Sequence, residues 1–207
     1  MSKLVYLDTE TTDLKPGQIG QLSLIIEDNG NIRAKNYFMK VKSMAEGAAK
    51  VTHRDVAFYE KVSEGKEFKD YADEIFDELK DATIIAHNEK FDENFISTEF
   101  WRLDKIFKPS GTFCTMEFFK PIMQMPNKYR KYKSPYKNPK LEELVDWLKI
   151  DPDKVQKYTQ QLFNMSENTL YHDAMYDTTS MFIAVHVYKE KNEGNVGDWH
   201  KAFVKGA

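Results

Sequence analysis

The chain has a single cysteine, Cys114, so an intrachain disulfide framework is excluded and a reducing compartment is expected. Long apolar runs are missing too. No stretch approaches the roughly 18 residues of a membrane span, and Leu4 to Leu7 is too short for the ~7–15-residue apolar segment of a signal peptide. There is no surplus of positive charge: the formal net charge of -3 argues against a protein that coats nucleic acid indiscriminately. Any polyanion must then be met by a local patch or by metal ions. Internal repeats, long linkers and low-complexity segments are also absent. What is present is 207 residues, 41% hydrophobic and 14% aromatic, which suits a domain with a proper core and not a disordered chain. The expectation is a soluble, cytoplasmic protein.

Within this chain the stretch Leu4-Val5-Tyr6-Leu7-Asp8-Thr9-Glu10-Thr11-Thr12 stands out. Apolar β-formers lead straight into two carboxylates, the pattern of a buried strand with acid at its end. Strand side chains alternate between faces, so Asp8 and Glu10 project to the same side, their α-carbons about 6.5–7 Å apart. Like charges held side by side next to a core repel and are poorly solvated. A hard divalent cation with oxygen ligands resolves that conflict. The alternative is a strand that has simply ended, with its acids in water.

Further along, Gln21 to Glu27 and Arg33 to Val41 read as two strands separated by Asp28-Asn29-Gly30-Asn31. Asn-Gly between apolar runs is a hairpin signal, so an antiparallel meander is expected for the first three strands. Met44 to His53 suggests a short helix and then a loop. From Glu67 to Lys80, apolar residues at helical spacing predict an amphipathic helix, and Thr83 to Ala86 a short buried strand. A helix starting near Glu89 or Lys90 carries Phe91, Phe95, Ile96, Phe100 and Leu103 toward the core. Phe113 to Met116 fits another strand, and Pro121 to Pro139 is irregular. Helices are expected at Leu141 to Leu148, from Asp151-Pro152 to about Phe163, and from about Asp173 to Lys191. Trp199 and Phe203 lie in a tail that fits a small docked helix. A meander followed by alternating strands and helices indicates one α/β domain with a mixed sheet.

Two more acidic sites follow the first. In His87-Asn88-Glu89-Lys90-Phe91-Asp92, Asp92 falls in the first helical turn, where the helix dipole favours a carboxylate; alone, this is also ordinary helix-start chemistry. In His172-Asp173-Ala174-Met175-Tyr176-Asp177, His172 lies near the start of the last helix, with Asp177 rather more than one turn further on. Ala174 is the small residue expected where a helix packs close to a sheet. A lone histidine at such a place is more often structural than catalytic. Between them lies a basic stretch with Lys120, Lys128, Arg130, Lys131, Lys133, Lys137 and Lys140, no acid, and Tyr129, Tyr132 and Tyr136 interleaved. Cations for phosphates and rings for unstacked bases suit single-strand binding; a solvated, proline-punctuated loop has the same composition.

Together the three acidic sites resemble, in order and spacing, the motifs of the DEDD (DnaQ-like) family of 3′→5′ exonucleases. Asp-x-Glu-Thr-Thr stands at Asp8 to Thr12, His-Asn-x-x-Phe-Asp at His87 to Asp92, and His-x-Ala-x-x-Asp at His172 to Asp177. The resemblance implies an exonuclease domain over residues 1–191, with residues 192–207 as a C-terminal tail. It implies a ribonuclease H-like fold with a five-stranded mixed sheet, order 3-2-1-4-5, flanked by helices. It makes Asp8, Glu10, Asp92 and Asp177 the carboxylates that hold two Mg²⁺ or Mn²⁺ ions, and His172 the general base. The family's other branch places a tyrosine four residues before the last Asp; here that residue is Asp173, so the chain resembles the histidine branch. Asp173 shares the helix face of Asp177 at i, i+4, which suits an acid that supports the metal carboxylates, though solvent exposure is the stronger expectation.

By the same resemblance Thr11, Thr12, Asp13 and Leu14 line a 3′-terminal nucleotide, with Leu14 against a base. The family usually has Gly where this chain has Asp13, a residue that tolerates a left-handed backbone. His53 falls where relatives place a histidine near that nucleotide, and His87, Asn88, Phe91, Lys131 and Lys133 complete the expected substrate contacts. Phosphodiester hydrolysis builds negative charge around phosphorus, which two divalent ions about 3.5–4 Å apart offset. A neutral His172, with an ordinary pKa near 6.5, is suited to take the attacking water's proton.

The expected activity is removal of nucleotides from a single-stranded or frayed DNA 3′ end, in proofreading or repair, with a DNA polymerase as a candidate partner. The DNA preference rests on the likeness of Asp-Thr-Glu-Thr-Thr to the epsilon subunit of bacterial DNA polymerase III and its phage relatives. RNA trimming is an alternative, since no reader of the 2′-hydroxyl is identified. A catalytically silent nucleic-acid-binding or polymerase-associated module on the same fold is another. Gln160-Gln161-Leu162-Phe163 has a faint likeness to a sliding-clamp peptide, which a helix end with two core residues also explains.

Overall fold

A computed structural model of the chain describes residues 3–15, 17–128, 134–166, 172–194 and 196–206. It opens with the meander β1 (Leu4–Thr11), β2 (Ile19–Asp28) and β3 (Asn31–Phe38), then α1 (Glu46–Thr52), α2 (Val56–Val62) and α3 (Phe68–Leu79). The alternating part is β4 (Thr83–Ala86), α4 (Glu89–Trp101), β5 (Gly111–Cys114) and α5 (Thr115–Met123). The chain continues through α6 (Leu141–Trp147), α7 (Pro152–Phe163), α8 (Ala174–Asn192) and α9 (Asp198–Phe203).

The five strands form one mixed sheet in the order β3-β2-β1-β4-β5, the ribonuclease H-like topology that the motifs implied. β1 pairs antiparallel with β2 and parallel with β4, and β4 parallel with β5. The β2–β3 turn places both Asn29 (φ 52°) and Gly30 (φ 83°) in the left-handed region, the backbone that a two-residue turn needs to match the twist of its strands.

Period-two alternation in the strands divides the core in two. Val5, Leu7, Leu22, Leu24, Ile26, Ile84 and Ala86 face α3 and α4, against Ile75, Leu79, Phe95 and Phe100. Tyr6, Ile25 and Ile85 face the other way, into a layer built from α5 to α9 that includes Phe119, Leu144, Val155, Phe182 and Phe203.

Several segments differ from the sequence reading. β3 stops at Phe38 and not at Val41, because Lys40 turns its N–H to the Lys66 carbonyl (2.7 Å). α2 has no counterpart among the expected helices; it starts at Asp55, whose carboxylate accepts the Phe58 N–H at 2.7 Å. β5 ends at Cys114, and Thr115–Met123 is helix where a strand end and an irregular stretch were expected. Pro121 lies inside its last turn, where the absent N–H leaves the Glu117 carbonyl without its intrahelical donor. α7 ends at Phe163, which with Leu162 packs against the second core layer, so these residues of the clamp-like tetrapeptide serve the core.

The tail beyond residue 191 folds back as α9. Asp151 N–H donates to Phe203 O (2.8 Å), Lys205 N–H to Lys149 O (2.9 Å), and the Trp199 ring stacks between His186 and Phe203. No described helix is long and apolar enough to cross a membrane.

Candidate active site

β1 assembles the site. Tyr6 faces the second core layer, so by alternation Asp8 and Glu10 project from that same face, the one covered by α8. β4 pairs with β1 only from Leu4 to Tyr6, which leaves the next residues of β1 without a strand on that side. Asp92, in the first turn of α4, takes over there: its Oδ1 accepts the Thr9 N–H at 3.0 Å and the Thr9 hydroxyl at 2.7 Å. Asn88, with φ 82°, makes the sharp exit from β4 that allows α4 to start so close to β1.

The third motif closes the cluster from above. Asp173 caps α8 by accepting the Met175 N–H at 2.9 Å, and His172 precedes it with φ 66°. The His172 N–H donates to Asp177 Oδ2 at 3.0 Å. A left-handed backbone at a non-glycine residue persists only where its surroundings enforce it.

An oxygen from each of Asp8, Glu10 and Asp177 lies within 4.8 Å of the other two. Asp177 Oδ1 is buried and has no hydrogen-bond partner. An all-carboxylate donor set with an orphaned buried oxygen fits a hard divalent cation such as Mg²⁺ or Mn²⁺. Asp92 stands outside that 4.8 Å group because Thr9 engages it, yet its charge is the strongest neighbouring influence on Asp8.

Without cations the four acids resist ionisation. Burial, then Asp92, Asp177 and Glu10, holds Asp8 well above the usual carboxylate range. Burial and the Asp177 charge push Glu10 up to about 9, partly opposed by Arg54. Burial raises Asp92 to about 7 against its bonds from Thr9, and raises Asp177 to about 7 against the His172 N–H. Burial lowers the His172 pKa, with Lys140 and His53 acting in the same direction and Glu142 opposing, so its ring is neutral at physiological pH.

A cavity of about 450 Å³ opens onto the cluster, with Asp8, His87, Lys140, Glu142, His172 and Asp177 among its lining. Lys140 ends the basic stretch noted in the sequence, whereas Glu142 carries no sequence signal beyond an ordinary helix start. Both ring nitrogens of His87 are engaged, Nε2 donating to the Pro139 carbonyl (2.9 Å) and Nδ1 paired with the Thr115 hydroxyl (3.0 Å). His87 thus fastens the foot of the basic segment to the cavity wall.

The other expected substrate residues are divided. Thr11 and Thr12 are buried and hold their own loop, the first donating to Asp13 O (3.0 Å), the second accepting the Gln18 N–H (2.9 Å). Asp13 does not occupy the left-handed region, so no glycine is required there. Leu14 projects into solvent, 86% exposed. His53 ends α1 with φ 55° and bears electrostatically on His172. Asn88 is exposed, whereas Phe91 packs against the first core layer and Phe95 and does not line the cavity. Lys131 and Lys133, with Tyr129, Arg130 and Tyr132, lie outside the described residues. Asp173 corrects an expectation: it is 7% exposed and ion-paired with Arg54, a residue whose role no local pattern announced.

Comparison with known proteins agrees with this geometry. The epsilon subunit of DNA polymerase III from Buchnera aphidicola is 28% identical over 126 residues, 55% of this chain and 52% of that protein. The 3′-5′ exonuclease DinG of Staphylococcus haemolyticus is 43% identical over 53 residues, 26% of this chain but only 6% of its own length. This chain therefore spans about half, or much less, of these relatives. Among solved structures, exonuclease I superimposes with a TM-score of 0.66 at 15% identity, covering 91% of this chain and 41% of that one. Escherichia coli exonuclease I in complex with a dA16 oligonucleotide gives a TM-score of 0.64, also at 15% identity and 91% coverage of this chain, and 41% of its own. The RNase_T exonuclease family matches residues 5–184, nearly the whole α/β unit and all three acidic motifs, and the chain belongs to this DnaQ-like exonuclease family.

Proposed function

We propose that the protein is a metal-dependent 3′→5′ exonuclease that hydrolyses phosphodiester bonds at single-stranded or frayed DNA ends. The observation that carries the reading is the convergence of Asp8, Glu10 and Asp177 within 4.8 Å around an unpartnered Asp177 oxygen, in a cavity that His172 also lines. Asp8, Glu10, Asp92 and Asp177 would hold two divalent ions, which would supply positive charge to offset the negative charge that hydrolysis builds around phosphorus and on the departing 3′ oxygen. His172, in the cavity lining, accepts the proton of the attacking water, and its backbone N–H is tied to Asp177. Leu14 and His53, both exposed, are available to a terminal nucleotide. A DNA substrate and a polymerase partner are favoured by the similarity to the epsilon subunit.

The decisive experiment incubates the protein with matched 5′-labelled single-stranded DNA, duplex DNA and RNA, in Mg²⁺, Mn²⁺ or chelator. A ladder shortening from the 3′ end of single-stranded DNA, abolished by chelator, is expected. Equal or faster shortening of RNA would replace the DNA assignment with an exoribonuclease. Binding without cleavage in either metal would leave a silent binding module.

A further inference from the structure

The residue that the three motifs do not explain is Arg54. It follows His53 in the turn between α1 and α2, and its guanidinium is held over the rings of Phe58 (4.9 Å) and Phe38 (5.7 Å). Its side chain is only 12% exposed and that of Asp173 11%. One guanidinium nitrogen, Nη2, donates to Asp173 Oδ2; the other, Nη1, donates to Gln21 Oε1. Gln21 Nε2 closes the ring by donating to Asp173 Oδ1 (3.2 Å) and to Asn36 Oδ1 (2.9 Å), which also accepts from Ser23 Oγ (2.6 Å). The centre of this network is out of solvent: Gln21 and Ser23 are fully buried.

Each partner of the fork adjoins a different part of the site. Gln21 is the residue opposite Glu10 in the β1–β2 register. Asp173 caps α8, its carbonyl accepts the Asp177 N–H (3.0 Å), and it is the neighbour of His172, whose left-handed backbone needs enforcement. Arg54 itself is covalently joined to His53. We infer that Arg54 is a positioning residue, whose two-pronged grip on Gln21 and Asp173 fixes the strand bearing Glu10 relative to the helix start bearing His172 and Asp177. A planar fork sets distance and orientation together; a lysine ammonium keeps the charge but loses the second prong.

This inference rests on the proposed function. Its test compares the wild type with Arg54→Lys and with the double variant Arg54→Met/Asp173→Asn. In the double variant no buried charge is left unpaired, and the Asn amide oxygen can still cap α8. Three quantities are measured: melting temperature, kcat and KM on single-stranded oligonucleotides, and Mn²⁺ affinity by paramagnetic titration. Both variants should fold, with kcat lowered about tenfold or more and KM within about threefold, while Mn²⁺ affinity falls about tenfold in the double variant. Wild-type kcat in Arg54→Lys, or wild-type Mn²⁺ affinity and kcat in a folded double variant, overturns the inference and leaves the function intact. A wild-type protein inert toward every substrate and toward Mn²⁺ refutes the function and the inference together.

Discussion

The role proposed for His172 draws on the partial desolvation of an otherwise exposed residue and on its position beside Asp177. Its pKa is lowered by desolvation, so the ring is ready to accept a proton, and the backbone that orients it is fastened to Asp177. Replacing His172 by Ala keeps that backbone bond and the carboxylates. Turnover should fall by roughly 10²- to 10⁴-fold while Mg²⁺ or Mn²⁺ still raises the melting temperature. Undiminished turnover in this variant would remove the ring from the reaction.

The carboxylates make the opposite trade of stability for function. An acid whose folded-state pKa lies above its unfolded value binds more protons folded than unfolded, so stability is lost as pH rises between the two. With ordinary carboxylates near 4, Asp92 and Asp177 raised to about 7 and Glu10 to about 9, the cation-free protein should melt at progressively lower temperature from about pH 4 to pH 9. Asp177→Asn removes one of these charges. At pH 8 without cations it should melt several degrees higher than the wild type, a gain on the order of 1–3 kcal/mol, while hydrolysis is lost. A flat melting profile across this pH range, or a destabilised Asp177→Asn, would mean that Asp177 is a structural acid.

β alternation makes the shared face of Asp8 and Glu10 legible whatever the rest of the chain does, while their meeting with Asp92, Asp177 and His172 is read only through the family resemblance. Asp173 is misread for the converse reason. Its local chemistry is that of an exposed helix cap, and only Arg54, 119 positions away, makes it a buried ion pair.

Elements follow the same division. Asn29-Gly30 announces the meander, and the spacing of Phe68, Ala72, Ile75 and Leu79 announces α3. α2 buries only Tyr59 of its seven residues, so it shows no apolar stripe, and it is held by packing that sequence does not display. The Tyr59 ring of α2 lies flat against Gly20 of β2, where an added Cβ would meet ring carbons at 2.6 Å. Gly20→Ala should therefore push Tyr59 and α2 outward, costing about 1–3 kcal/mol in denaturant unfolding. Unchanged stability would show that the ring can retreat freely. The same displacement would loosen Arg54, which precedes the α2 cap residue Asp55 and leans on Phe58.

On the scale of the whole molecule, both layers flanking the sheet reach the site: α4 on one face brings Asp92, and the helices on the other bring the rest that β1 does not supply. Asp177 belongs to α8, which packs on β1 and β2 and also against α6, α7 and α9. The basic segment reaches the site from that layer as well. Pro126 and Tyr136 form an antiparallel bridge at its base, beside a groove of about 600 Å³ lined by Lys120, Lys128 and Lys137. Asn138 lines both this groove and the catalytic cavity. Among the described residues, ion pairs engage Lys137 with Glu143 and Lys140 with Glu142, but none engages Lys120 or Lys128. If the groove carries the strand upstream of the cleaved end, Lys120→Glu/Lys128→Glu should weaken oligonucleotide binding and reduce its logarithmic salt slope by about 0.7 for each phosphate no longer neutralised. An unchanged slope would return the groove to the status of a surface loop. Composition alone leaves that choice open, because lysines and tyrosines in a loop have no fold-independent geometry.

Acids whose pKa values are raised to neutral pH or above should hold hydrogen ions in the cation-free cluster. Divalent ions can enter only by evicting them, so loading the protein in weakly buffered solution should acidify the medium, and the calorimetric heat should scale with the ionisation enthalpy of the buffer. Cation supply and ambient acidity thereby become one control, and a fall in pH alone is enough to disarm the site.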